Sequence, residues 1–372
     1  MSYTGSPRWQ ITGRTHQPAF LRPSICIHIW VILLAGIAGL HADPIDDALK
    51  TEMGQHRIPG ASLLILHKGR VAKSAAYGVA DIENQVPART NTVYEIGSVT
   101  KQFTAAGILF LVEEGAVRLD DPVSRHLPTA PNTWSKITVR HLLTHTSGIK
   151  SYTGLSGYEL TRHLTRTQFV AQLGAEALEF PPGSAWKYSN SGYSLLGHII
   201  ETNSGQSYWD FLHARIFKPL GMQFTTNRLP SLIIPNRAKG YEQVDGQWIN
   251  RDYDLTDVFS AGAIVSTVGD LALWQMALDR PGLLKKESME AMWTPMRLTT
   301  GKETTYGFGW IMDQFEGRKM IGHGGSTSGF SASCQRFVED GVTVILLTNT
   351  DEQIATRLAR QVGSLFRRGL AQ

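Results

Sequence analysis

Cysteine is nearly absent from this chain of 372 residues: there are two, Cys26 and Cys334. Two cysteines cannot build a disulfide scaffold, and without a Cys-x-x-Cys pair a thiolate zinc knuckle or thioredoxin-type site is also excluded. An excess of one charge sign is missing too. Lys and Arg number 36 against 32 Asp and Glu, a net +4. Three of the arginines, Arg8, Arg14 and Arg22, lie in an acid-free stretch over residues 1–42. Without that stretch, 33 basic residues face 32 acidic ones, and no basic run is interleaved with aromatics. Nucleic acid is therefore not an expected partner. Repeats and low-complexity tracts are also lacking. With 42% hydrophobic and 18% charged residues, the chain is globular and long enough for a core without staples.

Several catalytic signatures are missing as well. No Gly-x-Ser-x-Gly occurs, so the nucleophile elbow of α/β-hydrolases is excluded. No His-Glu-x-x-His, P-loop or Gly-x-Gly-x-x-Gly is present. His141 and His145 stand four apart in a short helical pattern, a spacing that zinc can use. The residue expected to be an acid between them is Leu142, and no third ligand suggests itself. Buried or capping histidines are the simpler reading, and neither metal nor cofactor is expected.

At the N-terminus, an acid-free polar lead precedes a 16-residue apolar run over residues 25–40, ending in Leu40-His41-Ala42. This is the three-part pattern of a secretory signal cut after Ala42, and it implies an exported, periplasmic or secreted protein. The alternative is an uncleaved membrane anchor, although a span needs about 20 residues. Residues 43–372 then form the working domain. A cleaved chain keeps only Cys334, expected as a small core residue in a strand.

Within that domain, residues 45–56 have helical spacing, and residues 61–77 read as a hairpin turning at Lys68-Gly69. Residues 100–114 form a strong apolar helix, with further helices at 138–145, 192–202, 268–277 and 286–293. Strand-like runs at 307–313, 329–338 and 342–349 precede a helix at 352–366. The expected fold is α+β. Early and late strands join in one antiparallel sheet flanked by the terminal helices, and the helical middle forms a second lobe across a cleft.

Ser-x-x-Lys occurs three times, at Ser98–Lys101, Ser147–Lys150 and Ser184–Lys187. A Lys that activates a Ser must share its helix face, and a helix N-terminus favours developing negative charge. Ser98 meets both needs, because Gly97 precedes it and the apolar helix follows. An ordinary N-cap explains it as well. Tyr188-Ser189-Asn190 follows a Pro/Gly loop, and in extended backbone Tyr188 and Asn190 would face one site. A Tyr near an ammonium could be held as phenolate and act as a base. His323-Gly324-Gly325-Ser326 follows a strand-like Lys319-Met320-Ile321. Glycines there admit a substrate backbone and an oxyanion donor, or simply make a turn.

Together, Ser98-x-x-Lys101, Tyr188-x-Asn190 and His323-Gly324-Gly325 resemble the serine β-lactamase and penicillin-binding-protein superfamily. The similarity is to its class C β-lactamase, D-alanyl-D-alanine carboxypeptidase and esterase branch. The flanks over residues 141–149, 182–197 and 322–330 are similar too. The resemblance implies that Ser98 is acylated, with Lys101 keeping it activated and Tyr188 acting as acid and base. It further implies that Asn190 binds the substrate amide and that the N–H groups of Ser98 and Ser326 form the oxyanion hole. Many class C enzymes have Lys where this chain has His323, which removes a fixed charge for a β-lactam carboxylate. The expectation is a serine hydrolase of a small-molecule or peptide amide or ester: a β-lactam, a D-Ala-D-Ala-type peptide or a carboxylic ester. The alternatives are a zinc hydrolase on His141 and His145, or a non-catalytic binder of peptidoglycan fragments.

Overall fold

A computed structural model describes residues 43–370 except 158, 160 and 161, so the signal-like segment and its apolar run lie outside the described residues. The hairpin expected at 61–77 is present as β1 (Gly60–His67) and β2 (Arg70–Asp81). Its two-residue turn has positive φ at both Lys68 and Gly69. That is the twist-compatible geometry of tight hairpins. The central sheet is completed by β3 (Val86–Pro87), β4 (Ile311–Phe315), β5 (Arg318–Thr327), β6 (Phe330–Phe337) and β7 (Val342–Thr348). All pairs are antiparallel, in the order β3-β2-β1-β7-β6-β5-β4. The two ends of the domain meet where β1 pairs with β7, with Leu63 opposite Leu346.

Apolar residues on both faces of the central strands give the sheet two cores. Leu63 and Ile65 of β1 join Val344 and Leu346 of β7 on one face. Helices α1 (Pro44–Gln55) and α6 (Ala355–Leu370) cover that face with Ile45, Leu49, Leu358 and Val362. Leu64, Leu66, Ile345 and Leu347 point the other way, into the helical lobe. This period-2 split is what a sheet covered on both sides requires. The lobe is organised by α2 (Thr100–Glu113), whose first twelve residues are all buried. Around it lie α3 (Val139–Leu143), α4 (Asn190–Ser204) and α5 (Val268–Leu278). Cys334 is buried in β6, as expected.

Two boundaries differ from expectation. The run at 307–313 is only a strand from Ile311; before it, Gly309 turns with φ +80. A Cβ on Gly309 would lie 2.6 Å from the Lys101 carbonyl oxygen, so close packing on α2 requires the turn there. The residues His323 to Ser326 are not a turn after a strand but belong to β5 itself. Glycine lowers strand propensity, but pairing with β6 on one side overrides it.

Candidate active site

Tyr94–Glu95 forms a short strand paired to Ile264–Ser266, and this fixes the approach to α2. A single turn, Gly97–Val99, then leads into the helix and places Ser98 at its start. One turn later comes Lys101, fully buried. Its Nζ lies 3.0 Å from Ser98 Oγ, 2.9 Å from Asn190 Oδ1 and 2.7 Å from the Ala261 carbonyl oxygen. Among the described residues no carboxylate touches it, and burial pushes its pKa well below the ordinary lysine range. A neutral amine has two N–H donors and one lone pair. The donors match Asn190 and Ala261, and the lone pair matches the Ser98 hydroxyl.

Two glycines bring β5 against this turn. A Cβ on Gly325 would lie 2.0 Å from the Ile96 carbonyl oxygen and 2.8 Å from Ser98 N. One on Gly97 (φ +48) would lie 2.6 Å from Ser326 N. The amides of Ser98 and Ser326 therefore border one small space. The pairing of β4 with β5 ends at Gly322 opposite Ile311, so among the described residues no strand flanks the outer edge of residues 323–327.

Tyr188 lies just before α4, whose N-cap is Ser189 and whose first residue is Asn190. The expected extended pair is thus a loop residue and a helical one, and both still reach Lys101. The Tyr188 ring centroid is 4.8 Å from Lys101 Nζ. Among the described residues its buried hydroxyl makes no well-formed hydrogen bond, and the nearby Ser98 side chain only partly offsets its burial. Burial pushes the Tyr188 pKa up. Burial thus works against the expected phenolate–ammonium pair and toward a neutral phenol beside a neutral amine. Desolvation disfavours both charges at once.

His323 is also neutral. Its Nδ1–H donates to the Gly324 carbonyl oxygen, and its Nε2 accepts from the Tyr306 hydroxyl at 2.9 Å. This tautomer is assigned from those partners. Burial pulls its pKa down to about 3. Ser98, Tyr188 and residues 323–326 share a groove of about 440 Å³ that runs toward Gln353, Thr356 and Arg360 on or beside α6. A larger groove of about 1010 Å³, lined by Arg336 and Trp293, contains none of these groups.

The other two Ser-x-x-Lys segments are not assembled. Ser147 Oγ accepts from Ile149 N–H, while Lys150 pairs with Glu176 at 3.2 Å. Ser184 Oγ donates to the Pro181 carbonyl oxygen, while Lys187 pairs with Glu179 at 2.6 Å. The two helix histidines also diverge. His141 Nδ1 accepts from Thr138 N–H in a capping box. His145 Nδ1 accepts from Ser189 N–H at 3.2 Å, and its ring packs 4.3 Å from that of Tyr188. Among the described residues, no group of three His, Cys, Asp or Glu gathers for a metal. Sequence reasoning missed His145 as a support of Tyr188-Ser189, and it missed Tyr306. The buried-or-capping reading of the two histidines holds, His141 capping and His145 buried, but residue type alone did not show that His145 supports Tyr188-Ser189.

The fold and site define a serine hydrolase of the class that joins β-lactamases and penicillin-binding proteins. The Beta-lactamase family model matches residues 45–364, and the chain belongs to that family. Penicillin-binding protein 4* of Bacillus subtilis (strain 168) is 32% identical over 323 residues, covering 80% of this chain and 69% of that one. Protein flp of Staphylococcus aureus (strain MW2) is 29% identical over 328 residues, covering 86% of this chain; the chain spans 65% of its length. A D-stereospecific amidohydrolase from Streptomyces sp. superposes with a TM-score of 0.72 at 29% identity, covering 82% of this chain and 94% of that one.

Proposed function

We propose that this protein hydrolyses amides or esters through an acyl-enzyme on Ser98, and that its acyl donors need no carboxylate paired to residue 323. The observation that carries this reading is the three-way contact of Lys101 Nζ with Ser98, Asn190 and Ala261. A buried neutral lysine is a base with its lone pair on the serine.

In acylation, Ser98 Oγ attacks the carbonyl carbon while its proton passes to Lys101 Nζ. The oxyanion is taken up by the N–H groups of Ser98 and Ser326. Donors set in place this way cost no reorganisation as charge develops. Tyr188, protonated at neutral pH, gives its proton to the leaving nitrogen or oxygen as the acyl–leaving-group bond breaks. The phenolate then takes a proton from water, and the hydroxide attacks the acyl carbon. Ser98 leaves and recovers its proton from Lys101. Substrate and water have become acid and amine or alcohol, and the protein groups are restored. Asn190 can turn its amide N–H to the substrate, because its Oδ1 is held by Lys101.

The neutral His323 supports amide and ester donors over those that rely on a cation at that position. The relative named as a D-stereospecific amidohydrolase supports D-configured amides as the first class to try. Export of the mature chain is part of the same proposal, from the N-terminal sequence pattern. The test is time-resolved intact mass with a D-amino acid amide, a nitrophenyl ester and a penicillin, wild type beside Ser98→Ala. The expected result is an acyl adduct of the wild type that is absent from the variant. Turnover by Ser98→Ala equal to wild type would overturn the assignment. Release of the zinc-type reading from consideration needs the same assay with a chelator, where unchanged rates are expected.

A further inference from the structure

Glu95 is a buried carboxylate that the mechanism above does not use. It is 2% exposed and stands three residues before Ser98. Its Oε2 accepts from the Thr327 hydroxyl at 2.7 Å, and its Oε1 accepts from Arg228 Nε at 3.2 Å. Thr327 directly follows Ser326 on β5. The carboxylate therefore ties the segment that carries the Ser98 amide to the strand that carries the Ser326 amide.

That tie is needed at this point in the fold. Residues 323–327 are paired to β6 on one side, but β4 ends before them on the other. The glycine contacts at Gly97 and Gly325 set how close the two backbones can come, and they are steric limits rather than attachments. Thr327 to Glu95 is the side-chain hydrogen bond that attaches this end of β5 to the approach of α2.

We infer that Glu95 is a positioning residue of the oxyanion hole, holding the Ser326 N–H in register with the Ser98 N–H through Thr327. The inference rests on the functional reading above. The charges around Glu95 make the device responsive to pH. Arg228 is shared, its Nη2 donating to Asp252 Oδ1 at 2.6 Å, and Asp252 is also gripped by Arg237. Burial therefore outweighs the half-shared cation and raises the Glu95 pKa to about 7, with Thr327, Arg228 and Arg237 pulling down and Asp252 pushing up. Above that pH the carboxylate is a charged acceptor, and hydrogen bonds to charged groups are the stronger ones. Below it, the acceptor is a neutral acid and the strand end is held less firmly. Turnover should rise with pH through this region.

The experiment compares wild type, Glu95→Gln, Thr327→Val and Thr327→Ser by pH profiles of kcat and KM with a nitrophenyl ester. Hydrogen exchange over residues 323–329 is followed in the same samples. Glu95→Gln and Thr327→Val should lower kcat about tenfold with little change in KM, less than the loss of a whole oxyanion donor. Glu95→Gln should also lose the inflection near 7, and Thr327→Ser should restore wild-type rates. Exchange at residues 324–327 should quicken in both impaired variants. If Glu95→Gln keeps the inflection, the wild-type kcat and the wild-type exchange, the assignment of Glu95 is overturned while the Ser98 adduct stands. If Glu95→Gln does not fold, Thr327→Val decides: unchanged kcat and exchange overturn the assignment. A wild type that forms no Ser98 adduct overturns the functional reading, and the oxyanion role of Glu95 with it.

Discussion

The segments at Ser98–Lys101 and Ser147–Lys150 share one spacing and each adjoins a glycine, yet they have opposite surroundings. Ser98 opens α2, a helix of 14 residues buried through its first three turns. Ser147 follows α3, a helix of five residues. Lys101 meets a hydroxyl, an amide oxygen and a backbone carbonyl, with no solvent access. Lys150 reaches the surface and forms an ion pair with Glu176. Buried lysines become bases where their neighbours are neutral acceptors, because desolvation then acts without a compensating anion. A carboxylate in the same place keeps the ammonium. The spacing supplies the reach, and the surroundings supply the chemistry.

Serine replacement tests that contrast most strongly. Ser98→Ala should lower kcat/KM by about 10⁴-fold or more, whereas Ser147→Ala should stay within about twofold. Steady-state rates with a nitrophenyl ester check both. A large loss in Ser147→Ala would mean that the wrong segment has been assigned.

Next in size is a substitution that gives Lys101 the company Lys150 has. Asn190→Asp puts a carboxylate where Oδ1 now accepts from Lys101. Lys101 should become an ammonium, and turnover at neutral pH should fall about 10²-fold with the fold intact. The rate should recover toward alkaline pH as the ammonium loses its proton. Full activity at neutral pH would show that a neutral Lys101 is not required.

The smallest effect concerns stability. His323 has a folded pKa of about 3 against an ordinary 6.5. Between those values the unfolded chain binds a proton that the folded chain refuses. Stability from this group is thus present above about 6.5 and is lost as pH falls toward 3. His323→Gln keeps an acceptor for the Tyr306 hydroxyl and has nothing to titrate. Urea midpoints taken at neutral and mildly acid pH should fall less on acidification in the variant than in the wild type. Equal falls would mean that His323 is not buried in its neutral form.

Much of this was legible in the residues. The Lys68-Gly69 hairpin, the buried helix after Ser98 and the union of early and late strands follow from local pattern, which survives without tertiary information. The Ser98–Lys101 spacing fits one helix turn, but three such segments occur, and Tyr188 and Asn190 read as an extended pair; only the resemblance joins the four into one candidate site. Other features could not be read. The Ala261 carbonyl is a backbone atom with no sequence signal, and it supplies the second acceptor for Lys101. Glu95 and Thr327 are 232 residues apart, and only the packing of β5 on residues 96–98 brings them together. The protonation of Tyr188 and Lys101 depends on how much water reaches them, which residue type does not reveal. The glycines of residues 323–326 read locally as a turn because glycine lowers strand propensity, although they pair with the next strand, Gly325 opposite Ala332.

The protonation state of Lys101 can be measured directly. The protein would be labelled with lysine carrying carbon-13 at Cε, and the Lys101 resonance would be assigned by its loss in Lys101→Arg and titrated. Burial among neutral acceptors predicts a resonance already in the amine form at neutral pH, far below the ordinary lysine range near 10.5. A Lys101 resonance that keeps the ammonium shift until that ordinary range would contradict the account, and the proton of Ser98 would need another acceptor.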